Sequence, residues 1–379
     1  MIIVYCIDSI HGVGGIQRVT LMKANALAAI NQNMVWIIFT DGSGQLCFPL
    51  SANVHTINLG INYYEDDWKS KWHVLKGLFI KRTQHKRKLK KALNEILPDV
   101  VISVGQSEKN LLPAIQGKWA TVREFHFARD YRQLHARSVF DRILAFGGDF
   151  MDRLLLGRYD RIVVLTQEDY DRHWQKKKNV SVIPNPAVLS SASSSLDSKR
   201  ILAVGRLAYP KNFTSLIRAF SFVASRFPEW SLDIYGEGNE RESLSSEILT
   251  LGLSNSVWLM GNRTDIQSLM TDYSLFAMTS RFEGFGMVLV EAMSCGLPVV
   301  SYACPCGPKD IIRQGVDGFL VPPGDENMLA DRICQLIEDE SLRKEMGTAA
   351  HERAKHYSIE RILPMWMSLF EELTEKKNT

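Results

Sequence analysis

The sequence predicts an α/β protein made of two doubly wound parallel-sheet domains facing a central cleft. Three observations carry this expectation. Short apolar, β-branched runs alternate with amphipathic helical stretches along all 379 residues, and such strands belong to parallel sheets covered by helices on both faces. The pattern restarts after Pro184-Asn185-Pro186 and the small polar linker 190–195, where Arg200-Ile-Leu-Ala-Val-Gly205 reads as a new first strand. The chain is also too long for one ordinary domain and comfortable for two.

In the first half the expected strands are 2–8, 34–40, 100–104, 121–125, 161–166 and 180–183. In the second half they are 200–204, 231–235, 257–260, 275–278, 298–302 and 319–321. Domain boundaries are expected at 1–188 and 189–358. The last stretch, 359–379, is helical, with an apolar face at Leu363, Trp366, Leu369 and Phe370, and is expected to cross back to the first domain.

Composition narrows the class. Apolar residues make up 45% and charged residues 23%, the range of folded soluble domains. No run of about eighteen apolar residues occurs, so no transmembrane helix is expected. The first residues lack a basic segment or cleavage site and read as a buried strand, not a signal peptide. The six cysteines have no metal or framework spacing, and reduced thiols in a cytoplasmic protein are expected. Cys304 and Cys306 are too close in sequence for an unstrained disulfide.

The net charge of +3 hides an asymmetry: residues 1–190 carry +9 and 191–379 carry −6. The basic excess concentrates in Lys81-Arg82, Lys86-Arg87-Lys88 and Lys90-Lys91. Such a cluster is either a solvated helix face or a site for an anionic membrane surface, at about 1 kcal/mol per basic residue near it. No nucleic-acid-binding module accompanies it, so nucleic acid is not an expected partner.

Three loops carry chemistry. His11-Gly-Val-Gly14-Gly15-Ile-Gln17-Arg18 follows the first strand, where glycines permit positive φ and close backbone approach, and the next helix offers amides to an anion. Gln17 replaces the third glycine of a dinucleotide fingerprint. Asp41, ending the second strand, is a candidate ribose acid, which keeps an NAD-dependent oxidoreductase as an alternative.

Val204-Gly-Arg206-Leu207 and Pro210-Lys211-Asn212 place two cations before a helix start. A diphosphate leaving group needs such cations as its bond breaks. Ser280-Arg-Phe-Glu283-Gly284-Phe285-Gly286-Met287-Val-Leu-Val-Glu291 follows a buried strand. Its glycines leave amides uncovered, the helix starts near Met287, and both glutamates line one rim. Glu65-Asp66-Asp67 reads as an acidic turn, not a metal motif.

From Gly14-Gly15 through Arg206, Lys211 and Glu283–Glu291, to Gly315-Val-Asp-Gly-Phe-Leu-Val-Pro-Pro-Gly324, the chain resembles the retaining glycosyltransferases of family 4, glycosyl transferases group 1. The resemblance implies the GT-B fold, with an acceptor-binding Rossmann-like domain at 1–188 and a donor-binding one at 189–358. It implies that Arg206 and Lys211 hold the donor diphosphate and that Glu291 holds the ribose. Glu283 would face the donor sugar with His126 and the amides of Phe285 and Gly286, while Gly284 and Met287 complete the donor wall.

Gly14 and Gly15 would leave room beside the phosphates, and Asn262 and Arg263 would lie at the base. Asp310 stands where relatives commonly carry Glu. The implied substrates are a nucleotide-sugar donor, read as UDP-linked, and a glycan or lipid-linked acceptor in bacterial surface polysaccharide synthesis. No cofactor or metal is implied. A sugar-nucleotide epimerase of the same fold and a non-catalytic binding protein are the other readings.

Overall fold

The computed structural model describes all residues except 13, 43, 64–70, 136, 137, 139, 140, 142–151, 153, 154, 264 and 379, with backbone alone at 71–78, 135 and 378. The acidic turn Glu65-Asp66-Asp67 lies outside the described residues.

The first sheet contains β1 (Ile2–Ile7), β2 (Met34–Phe39), β3 (Val54–Asn58), β4 (Val100–Ser103), β5 (Ala120–Glu124), β6 (Arg161–Val164) and β7 (Val180–Val182). The second contains β8 (Arg200–Val204), β9 (Ser231–Tyr235), β10 (Val257–Gly261), β11 (Leu275–Met278), β12 (Val299–Tyr302) and β13 (Gly318–Val321). The helices that position the site are α1 (Gly15–Ala28), α2 (Lys71–Ile96), α3 (Tyr131–His135), α4 (Gln167–His173), α5 (Phe213–Arg226), α6 (Met287–Ser294), α7 (Pro308–Ile311) and α8 (Ile359–Asn378).

Every expected strand is present, and β3 is added to them. It is an edge strand of which only Val54 is buried, so its sequence lacks the apolar run that marks strands covered on both faces.

The strands in each sheet are parallel, in the orders β3-β2-β1-β4-β5-β6-β7 and β10-β9-β8-β11-β12-β13. Chain order reverses between β1 and β4 in one sheet and between β8 and β11 in the other. Loops leaving the strand C-termini diverge at such points and open a crevice.

Burial follows the helical period. In α5, Phe213, Leu216, Ile217, Phe220 and Val223 form the covered face against the second sheet. Helix α8 returns to the first sheet, where Ile362, Trp366, Leu369 and Phe370 join Ile3, Tyr5 and Val35 in one core. Inside this core the ammonium of Lys23, from α1, pairs with Glu124 at the end of β5. It also lies 4.4 Å from the Trp366 ring centroid, a cation–π contact that ties α8 to the buried charge.

The chain passes between the sheets twice, side by side. Ala187 N–H donates to the Tyr357 carbonyl at 2.8 Å, and Ala187 bridges Ser358 in parallel. All six cysteines are free.

Candidate active site

The reversal points of the two sheets face a shared cleft of about 530 Å³. The first sheet supplies Gly15, Arg18, His126, Phe127 and Tyr131; the second supplies Arg206, Lys211 and the run Phe282–Val288 with Glu291. Most of the singled-out residues therefore meet in one place.

Arg206 leaves β8 exposed, and among the described residues no side chain forms an ion pair with it. Lys211, seven residues beyond the last residue of β8, donates to Glu283 Oε1 at 2.5 Å. Ser280 Oγ donates to the same oxygen at 2.6 Å. The loop carrying Glu283 is pinned by two backbone bonds, Glu283 N–H to the Pro305 carbonyl at 2.8 Å and Arg281 N–H to the Pro210 carbonyl at 2.7 Å. One cation is thus held in place by a carboxylate and the other is left to take an anion.

Helix α6 begins at Met287 with Gly286 as N-cap at φ 95°. That left-handed conformation is strained for a residue with Cβ. It turns the chain so that the first amides of α6 open toward the cleft, where a helix N-terminus favours negative charge. Gly284 answers a different demand: a Cβ there would come 2.0 Å from the His126 carbonyl oxygen of the opposite sheet. The two halves approach so closely that only glycine fits.

Glu291 is 4% exposed and accepts from Arg18 Nη1 at 2.5 Å, across the cleft. Burial pushes the Glu291 carboxyl up, and Arg18 pulls it back toward the charged form. His126 lines the cleft with its side chain 3% exposed, its Nε2 3.3 Å from Glu124 Oε1. The fixed charge of Lys23 holds Glu124 down to about 2 against its burial, so an ionised carboxylate sits behind His126.

Other expected positions lie apart. Gly14 caps α1 in extended conformation, φ −76°, not at positive φ. Glycine serves there by leaving room, since a Cβ would sit 2.6 Å from Gln17 Oε1. Arg263 pairs bidentately with Asp265 at 2.9 Å, and neither it nor Asn262 lines the cleft. Asp310 accepts from the amides of Gln167 at 2.8 Å and Glu168 at 3.3 Å, capping α4 of the first half. Asp41 is buried, accepting from Thr40 Oγ1 at 2.7 Å and from the Tyr63 amide, which consumes the ribose acid of an oxidoreductase reading.

Sequence reasoning quoted Arg18 and Ser280 without giving them a role and passed over Phe127 and Tyr131. Arg18 carries a signal, being three residues past Gly15 on the first turn of α1. Among the described residues no group of three or more His, Cys, Asp or Glu side chains is placed to hold a metal ion.

Two facing doubly wound domains with a charged cleft between their reversal points define the GT-B class of glycosyltransferase fold. The structure of TarM from S. aureus, in a complex that includes UDP and α-GlcNAc-glycerol, shares this fold with a TM-score of 0.79 at 17% identity, covering 97% of this chain and 99% of that one. Within the class, residues 190–353 of this chain match the family model of glycosyl transferases group 1.

Its relatives include the amylovoran biosynthesis glycosyltransferase AmsD of Erwinia amylovora, 28% identical over 95% of this chain and 97% of that protein. The exopolysaccharide phosphotransferase SCO2592 of Streptomyces coelicolor is 34% identical over 58% of this chain. This chain spans about a quarter of that relative's length, 24%.

Proposed function

We propose that this chain is a retaining, family 4 glycosyltransferase. It moves a hexosyl or N-acetylhexosaminyl group from a UDP-linked sugar to a hydroxyl of a glycan or lipid-linked acceptor. The observation that carries the reading is the convergence of Arg206, the Lys211–Glu283 pair and the N-terminus of α6 at the C-terminal ends of β8 and β11. A leaving diphosphate gains negative charge as its bond to the sugar breaks, and preorganised cations and amides stabilise that charge more in the transition state than in the ground state. The UDP of the TarM complex supports the choice of base.

In this mechanism Arg206 and Lys211 hold the diphosphate, Glu291 takes the ribose diol, and Glu283 faces the sugar hydroxyls beside His126. The acceptor oxygen bonds to the anomeric carbon on the face the diphosphate leaves, the carbon–phosphate oxygen bond breaks, and the acceptor proton passes to the departing phosphate oxygen. No step asks for a protein nucleophile, and the reading is metal-independent.

The proposed setting is bacterial surface polysaccharide, such as lipopolysaccharide, O-antigen or capsule, and the name of AmsD supports it. No helix among the described residues is long and apolar enough to cross a membrane. Helix α2 offers peripheral contact from the cytoplasmic side instead. Phe79, 75% exposed, Arg82, Lys86 and Lys90 repeat at helical spacing along one face, while Lys81 and Lys88 turn back to the carbonyls of Asn62 and Leu59. Binding to vesicles should require anionic lipid and fade with salt.

Incubation with a panel of nucleotide sugars, with and without oligosaccharide and lipid-linked acceptors, tests the activity. Free UDP appearing only with acceptor is the expected result. Donor turnover without acceptor would point to an epimerase or oxidoreductase, and binding without turnover to a non-catalytic protein.

A further inference from the structure

The cleft wall on the first-sheet side carries an aromatic pair to which the proposed mechanism gives no role. Phe127 is 41% exposed, and its ring lies 5.3 Å from that of Tyr131 at an interplanar angle of 33°. Both line the cleft. A large apolar ring left open on a polar cleft wall is a surface awaiting a partner, and aromatic faces pack well against the C–H faces of pyranose rings. Its position is fixed by the close approach at Gly284, where a Cβ would also come 3.3 Å from Phe127 Cα. A ring stacked on Phe127 therefore lies next to the loop of Glu283, where the donor sugar is placed.

The same segment continues outward. Residues 129–133 form one side of an open trough of about 690 Å³, and 171–177 form the other. Arg129, Arg172, Lys176 and Lys177 line it against two carboxylates, Asp130 and Asp171. Arg172 is shared with Asp130 at 3.1 Å and with Glu168 at 4.0 Å, yet the formal charge of the lining stays positive, four cations against two carboxylates, and a concave surface of net positive charge concentrates anionic ligands.

Resting on the transferase reading above, we propose that Phe127 and Tyr131 are the acceptor subsite. The acceptor's terminal sugar stacks on this pair, and the chain beyond it, carrying carboxylate or phosphate groups, runs along the cationic trough. The acceptor is thus an anionic glycan and not a neutral one.

Saturation-transfer NMR on the UDP-loaded protein tests this with three probes: trigalacturonate, a glycerol-phosphate trimer and neutral maltotriose. At least one anionic probe should show saturation that falls as salt is raised, with maltotriose weaker. Phe127→Ala or Tyr131→Ala should weaken that probe by about fivefold, from a lost aromatic contact of roughly 1 kcal/mol. Lys176→Glu should weaken it at low salt only.

UDP affinity, measured by calorimetry, should be unchanged in all three variants, which also shows that they fold. Normal UDP binding with neither anionic probe engaged, with maltotriose bound equally, or with no effect of Phe127→Ala and Tyr131→Ala overturns the subsite. Failure of the wild-type protein to bind UDP overturns the donor reading beneath it.

Discussion

Arg18 on α1 and Glu291 on α6 join the two halves of the molecule across the cleft, guanidinium to carboxylate at 2.5 Å. The carboxylate side chain is 5% exposed and the guanidinium 27%. Removing one partner of a buried pair costs about 3–5 kcal/mol, and the partial exposure of Arg18 places Arg18→Ala at the low end. The loss should depend on pH. Burial holds the Glu291 carboxyl above its ordinary value, and without Arg18 it rises further. A carboxyl raised in the folded state contributes stability that is present below its unfolded value and lost as pH rises through its folded one. The gap in melting temperature between wild type and Arg18→Ala should therefore widen from pH 5 to pH 8 in thermal melts.

Arg206→Ala and Lys211→Ala should separate chemistry from folding. Each removes a cation that the proposed mechanism sets on the departing diphosphate, a change that commonly costs on the order of 10²–10³ in rate. Arg206 is exposed, so its loss should leave thermal stability near wild type. Near-normal turnover in either variant, measured as released UDP, would sink the diphosphate assignment.

Gly284→Ala tests the spacing between the halves. A methyl group cannot occupy a position 2.0 Å from the His126 oxygen, so the two sheets must part or the loop of Glu283 must shift. A misplacement of about 1 Å costs on the order of 10² in rate. Steady-state kinetics should show this loss in kcat, with a normal circular dichroism spectrum.

A second pH effect lies away from the cleft. Glu108, 1% exposed, is pushed up to about 7 by burial first and by Asp8 next. Its Oε1 accepts from Ser103 Oγ at 2.9 Å, a bond that glutamine keeps. Because the folded value lies above the unfolded one, the wild type loses stability as pH climbs from about 4.5 through 7. Glu108→Gln removes that loss. Chemical denaturation should find the variant close to wild type at pH 5 and more stable at pH 8, by about 3 kcal/mol at most.

The fold was legible in the sequence because strands covered on both faces must be apolar throughout. β3 escaped because four of its five residues face outward or are half-covered. In the site, Arg206, Lys211, Glu283 and Glu291 were legible because each sits just past a buried strand or on the next helix turn, where position along the chain sets direction in space. The Arg18–Glu291 bond and the Phe127–Tyr131 wall were not. Arg18 and Glu291 are 273 residues apart, and their meeting depends on how two separate sheets face each other, which no local period encodes. The same limit explains Asp310: its role in capping α4 belongs to the contact between halves, not to its own loop.

The return of α8 to the first sheet also bears on how the protein is made. Trp366 and Phe370 fill the core beside β1 and over Lys23, yet they are synthesised after the entire second domain. While the ribosome is building residues 200–354, the first sheet has an uncovered apolar face and a lysine–glutamate pair open to water. The nascent chain must carry this unfinished half until its final helix emerges, and a chaperone that shields apolar surface would be needed most in that interval.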